Sequence, residues 1–215
     1  MKKNSMTRLR RPLLLLAVSA AVTVSLQGCV GLLVGGAVVG TAMTATDRRS
    51  VGAQADDAAI VLKAEASVSK ITGDLGRVAV TSFNRQVLLT GEVRDEQMKA
   101  AVEKQVATVG TVKSIENDLV IGPVTGLNVR SNDALITGKV KAAIIDTKGL
   151  YLNAFKVHTD RGVVYLMGRV TQREAKMVTE VVRHSSSGIT KIVRLFEYIN
   201  EDEIKDYVIK PASSK

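Results

Sequence analysis

The chain of 215 residues has no tryptophan, a single cysteine and two histidines, and each shortage closes off a class of function. One cysteine cannot form an intramolecular disulfide, whatever the redox state of the compartment. His158 falls in an expected strand and His184 near an expected helix end. Neither has the further ligands that a metal site needs, so no metal is expected. Ser185-Ser186-Ser187-Gly188 has loop composition and lacks the setting of a nucleophile elbow. The glycine-rich stretch after Cys29 lacks the Lys-Ser/Thr of a phosphate loop. With no acid–base pair in an expected cleft, the reading is a non-enzyme without a cofactor. Negative charge is also missing from one place: no Asp or Glu precedes Cys29, whereas Lys2, Lys3, Arg8, Arg10 and Arg11 all do.

These five basic residues form a positive n-region, and Pro12 to Leu26 form an apolar h-region. The run is shorter than the ~20 residues that cross a bilayer core, so residues 1–28 read as a secretory signal peptide. Leu26-Gln27-Gly28-Cys29 resembles the lipobox of bacterial lipoproteins. That resemblance implies cleavage before Cys29 and acylation of its thiol and new amino terminus, palmitate being a typical chain. The competing reading is an ordinary lone thiol. Removal of the signal lowers the formal charge from +9 to +4 (25 basic residues against 21 acidic), which weakens any case for nucleic acid. Three acyl chains would hold the protein stably, since two membrane signals already suffice. Val30 stands where an aspartate would, by resemblance to enterobacterial lipoproteins, favour the inner membrane, so a periplasm-facing outer-membrane location is expected.

Residues 29–55 then read as the acylated N-terminus and a tether. Within them Gly31 pairs with Gly35, and Gly36 with Gly40, at the small-xxx-small spacing of close helix packing in membranes. Two readings stand: a membrane-hugging tether, or a glycine-zipper span. Asp47-Arg48-Arg49-Ser50 ends the apolar character, and the soluble part starts near Asp56.

The remainder is an internal repeat. Asp57-Ala58-Ala59-Ile60 matches Asp133-Ala134-Leu135-Ile136, and Val87-Leu88-Leu89-Thr90-Gly91-Glu92-Val93 matches Val164-Tyr165-Leu166-Met167-Gly168-Arg169-Val170. Gly110-Thr111-Val112-Lys113 matches Gly188-Ile189-Thr190-Lys191. At about 65 residues, each copy is near the lower size limit for an independent core. The expected domains are 56–122 and 132–199, with a linker at 123–131 and a tail at 200–215. Ile60, Ala64, Val68 and Ile71 predict a helix over 57–71. Val78-Ala79-Val80 and Val87-Leu88-Leu89 predict strands joined at Asn84-Arg85, with Gly91 following. Asp95 predicts the cap of a helix carrying Met98, Val102 and Val106, and a last strand begins near Val112. The second copy predicts a helix over 133–146, strands over 155–160 and 163–170, a helix from Gln172 to His184 and a strand from Thr190. The class is α+β: two αββαβ units, each a three-stranded mixed sheet with both helices on one face.

This order, Ser131-Asn132-Asp133 and the run from Val164 to Ala175 resemble the BON domain family. With the lipobox, the chain resembles more narrowly the dual BON-domain outer-membrane lipoproteins. The resemblance implies a role in envelope integrity and contact with anionic phospholipid through the first helix of the second domain. By resemblance to an enterobacterial member, an aromatic residue is expected at the position of Leu135, and leucine there lowers the expected affinity.

Charge points to the same copy. Residues 56–121 hold eight Lys/Arg and ten Asp/Glu, a net of −2; residues 132–199 hold eleven and six, a net of +5. Basic residues near an anionic membrane contribute about 1 kcal/mol each. On the 133–146 helix, Ile136, Val140, Ala143 and Ile144 form a core stripe. Leu135, Ala142 and Ile145 form a neighbouring stripe beside Lys139 and Lys141, suited to shallow insertion among headgroups. Two alternatives stand: the charge serves solubility alone, or Leu135 and Ile145 pack on the first domain. For the whole chain, the second reading is a protein-interaction module docking on an envelope-assembly or cell-division complex.

Overall fold

A computed structural model describes residues 47–207. The signal segment, Cys29 and the expected tether up to residue 46 lie outside the described residues, as does the end of the tail. Residues 47–55, also read as tether, instead pack on the domains and begin the first helix, because Arg48 and Arg49 find buried carboxylate partners. The first copy runs α1 (Val51–Thr72), a short 3-10 turn, β1 (Arg77–Phe83), β2 (Gln86–Val93), α2 (Glu96–Ala107), β3 (Ser114–Asn117) and β4 (Val120–Ile121). The second runs α3 (Leu127–Asp146), a 3-10 turn, β5 (Phe155–Asp160), β6 (Val163–Val170), α4 (Gln172–Ser185) and β7 (Lys191–Tyr198), followed by α5 (Glu201–Tyr207). Each copy is the expected αββαβ unit. β1 pairs antiparallel with β2, and β3 and β4 run parallel to it. β5 and β7 flank β6 in the same senses.

The helices of each copy cover one face of its sheet. Ile60, Ala64 and Val68 of α1 and Val102 and Val106 of α2 meet Val87, Leu89 and Val93 of β2. Ile136, Val140 and Ile144 of α3 and Val178 and Val182 of α4 meet Val164, Leu166 and Val170 of β6. The opposite faces pack on each other. Phe83 and Leu88 join Tyr165 and Met167 in a third buried cluster, flanked by Val193 and Leu195. The result is a helix–sheet–sheet–helix stack in which β2 and β6 are buried on both sides. That double burial is why both strands read as nearly unbroken apolar runs.

The repeated aspartates are explained by the hairpins. Asn84 and Arg85 have positive φ, as do Arg161 and Gly162, the geometry of two-residue turns that match strand twist. Asp57 of α1 accepts the backbone N–H groups of Asn84 and Arg85 at 2.7 Å each and the Ser82 hydroxyl at 2.6 Å. Asp133 of α3 accepts those of Arg161 and Gly162 at 2.8 Å each. Each first helix thus holds its hairpin shut through one buried carboxylate. The repeated glycines lie inside the second strands rather than after them. Gly91 has φ +119, and a Cβ there would fall 2.0 Å from the Arg77 carbonyl oxygen; at Gly168 it would fall 2.6 Å from that of Ala154.

Two boundaries differ from the sequence reading. Helix α1 begins at Val51, where the Ser50 hydroxyl accepts from Ala53 N–H, and α3 begins at Leu127, within the stretch read as linker. Leu127, Val129 and Arg130 are exposed, so this first part of α3 has no buried face for hydrophobic periodicity to register. The last strand of the first copy is also interrupted, at Asp118–Leu119, where Lys99 Nζ donates to the Leu119 carbonyl at 2.7 Å.

Candidate functional site

Helix α3 turns two faces to different surroundings. Asp133, Ile136, Val140 and Ile144 are buried against its own sheet. Leu135 is 66% exposed and Ile145 63%, and Ala142, Lys139 and Lys141 are exposed with them. The alternative in which Leu135 and Ile145 pack on the first domain is therefore not what forms. Leu135, Gly138, Ala142 and Ile145 recur at spacings of three and four residues and make one apolar ridge. Leu127, 71% exposed, lies five turns before Ile145 on the same line. Lys139 borders the ridge on one side and Lys141 on the other, which gives a narrow apolar strip between cations. Among the described residues no helix is long and apolar enough to cross a membrane.

The seam between the two sheets is polar at its edges, with partners far apart in the chain. Arg77 of β1 bridges Glu92 at 3.1 Å within its own copy and Asp160 of β5 at 2.6 Å across the seam. Arg161 approaches Glu92 at 3.6 Å from the other side. Burial alone would raise the Glu92 carboxyl, but hydrogen bonds from Thr125 and Arg77 overcome it and hold the carboxyl below the usual carboxylate range. Tyr165 donates to Asp118 at 2.5 Å; burial and that bond push its hydroxyl well above the ordinary tyrosine value. His158 Nε2 lies 2.8 Å from the Thr90 hydroxyl, and burial lowers its pKa below that of a free histidine. His158 and His184 belong to no metal-binding group: among the described residues no three His, Cys, Asp or Glu side chains are placed to share an ion.

The segment before α1 also links the two copies. Arg48, 3% exposed, makes a two-pronged bond to Glu174 of α4, both contacts at 2.7 Å, and donates to the Arg169 carbonyl at 2.8 Å. Glu174 is also the N3 residue of a capping box with Thr171. Burial would raise its carboxyl, yet Arg48 and the Thr171 N–H hold it below the usual range. Arg49 bonds Asp47 and Asp57 and lies 4.4 Å over the Phe83 ring. Two successive arginines thus clasp both copies, Arg48 the second and Arg49 the first. The unusual Asp-Arg-Arg-Ser run was visible in the sequence, but its partner, 126 positions on, was not.

The described surface therefore offers an apolar strip edged with lysines. A BON domain model matches residues 56–123 and again 132–200. The outer membrane lipoprotein DolP of Haemophilus influenzae is 33% identical over 192 residues, covering 88% of this chain and 98% of that protein. A 21 kDa hemolysin of Actinobacillus pleuropneumoniae is 26% identical, covering 71% of this chain and 79% of the relative. Among solved structures, CdsD, a structural protein of the type III secretion system of Chlamydia trachomatis, covers 71% of this chain and 98% of its own at 14% identity, with a TM-score of 0.28.

Proposed function

This chain belongs to the BON-domain family as a dual BON-domain outer-membrane lipoprotein, and from that premise we propose that it is a non-enzymatic, periplasm-facing protein that contacts anionic phospholipid through α3 and so supports envelope integrity. Cys29 is the acylated residue in this reading. The observation that carries it is the exposure of Leu135, Ala142 and Ile145 in one strip between Lys139 and Lys141. A core helix would bury such residues; an interfacial helix sinks them among headgroups and leaves its lysines at the phosphates. The free energy is modest, about 1 kcal/mol per basic residue plus the transfer of a few side chains. Attachment through Cys29 compensates, because it holds the strip at the bilayer and raises its effective concentration.

Co-sedimentation of the polypeptide from Asp47 to Lys215 with vesicles tests this. Binding is expected with phosphatidylglycerol at low salt, weaker binding as salt screens the lysines, and little with phosphatidylcholine alone. Leu135→Glu combined with Lys139→Glu should abolish it. Equal binding by that variant, or none by the parent protein, would sink the lipid site and leave docking on an envelope-assembly or division complex as the better reading.

A further inference from the structure

The third strands of the two copies are finished differently. In the first, β3 and β4 are four and two residues long and separated by Asp118–Leu119. Short, broken edges of this kind are a common protection against unwanted pairing. In the second, β7 runs eight residues without a break, pairs with β6 along its length, and is the last strand of its sheet. Its composition is that of an inner strand. Ile192 and Phe196 pack on the helix side, and Val193 and Leu195 on the seam side, so it is apolar on both faces yet only half-buried.

Beside this edge, between α4 and β7, lies a groove of about 320 Å³ lined by Thr179, Arg183, Ile189, Lys191, Ile192 and Arg194. Lys191 and Arg194 are exposed, and among the described residues Arg183 is the one of the three cations that pairs with an acid, Glu180 at 3.5 Å. The matching groove of the first copy, between α2 and β3, holds Glu103 beside Lys104 and carries no such excess. Edge lysines can by themselves discourage pairing, but that role needs neither an adjoining groove nor apolar residues on both faces.

We propose that β7 and this groove form a docking site for an extended, acidic peptide segment of another protein, which adds a strand to the second sheet. The ladder would supply the backbone bonds, alternate side chains would enter the groove, and acidic residues would meet Arg183, Lys191 and Arg194. The site lies on a different helix and strand from the lipid-facing strip and stands independently of it. An anionic lipid would use the charges alone; the open backbone edge favours a peptide.

The test uses the full lipidated chain in neutral nanodiscs and a labelled peptide as long as β7, alternating glutamate with valine, with binding read by fluorescence anisotropy. The acidic peptide should bind, and its lysine-for-glutamate counterpart should not. Arg194→Glu with Lys191→Glu should weaken binding about tenfold or more, as reversal of two peripheral charges does. N-methylation of alternate peptide residues keeps the charge and blocks one side of the ladder, so one of the two methylation registers should bind far more weakly. Equal binding by both methylated peptides and the parent peptide would overturn strand addition. No binding of the acidic peptide would overturn the site. So would self-association of the full chain, or uptake of phosphatidylglycerol, that the Arg194→Glu, Lys191→Glu variant alone abolishes, because a second copy or a lipid would then own the edge. Circular dichroism of the variant confirms that loss of binding is not loss of fold.

Discussion

The two copies share a chain path but differ in what holds the second helix in place, and the contrast shows where the molecule has invested its buried charge. Helix α2 is capped by Asp95, which accepts from Met98 N–H at 2.8 Å at the surface. Helix α4 is capped by Thr171 and Glu174, buried together, with Arg48 from outside the copy locked onto them. A solvated cap is a local device, worth the stability of one helix end. The Arg48–Glu174 pair is a long-range one: it ties the chain entering the first copy to the core of the second. Equivalent positions in a repeat thus carry unequal loads.

The strongest way to break this contrast is Arg48→Ala. It strands the buried Glu174 carboxylate without its cation, a change that costs about 3–5 kcal/mol in buried pairs. A fall of that size in urea-unfolding free energy is expected, against a much smaller one for Asp95→Ala; equal losses would erase the distinction. A second, smaller effect compares the paired glycines. Gly91→Ala forces a side chain at positive φ and against the Arg77 carbonyl, with an expected cost on the order of 1–3 kcal/mol from backbone strain and more from the clash. Gly168→Ala meets a less severe approach and should cost less; thermal unfolding of both variants checks the order.

The smallest effect is one of pH. Burial holds His158 below the ~6.5 of an unfolded histidine. As pH falls, the unfolded chain therefore takes up a proton first. The contribution of His158 is complete above about pH 6.5 and is lost as pH drops toward its lowered folded value. Asp160, Asp133, Arg77 and Lys156 surround it, and their opposing influences leave burial as the controlling cause. His158→Gln keeps a partner for Thr90 and removes this window. Unfolding midpoints on either side of pH 6.5 should converge for the variant and diverge for the parent. Glu92 and Glu174, held low, lose their contribution in a separate window that opens only below about pH 4.3.

What the sequence made legible was local. The repeat, the strand limits of β5 and β6, the Asp95 cap and the stripe on α3 all follow from periodicity and from turn or cap chemistry within one copy. The face-to-face seam does not, because its members lie some 70 to 80 residues apart and polar residues such as Thr90, Glu92 and His158 sit in it. One signal was present. Val87-Leu88-Leu89 and Val164-Tyr165-Leu166-Met167 do not alternate, and a strand that fails to alternate is buried on two sides. The start of α3 was illegible for the opposite reason, since nothing in residues 127–131 is buried. The strip on α3 could be placed on a helix from the sequence, but whether Leu135 and Ile145 faced solvent or the neighbouring copy depended on the seam.

The clasp formed by Arg48 has a mechanical meaning. In a linear tandem, tension arriving from an N-terminal anchor would act first on α1 and could peel the first copy away before the second felt it. Here the chain meets the second copy at Arg48 before it enters the first at Val51. A pull is shared between the two cores at the outset, and the pair yields as a single body, much as strain relief protects the wires inside a cable.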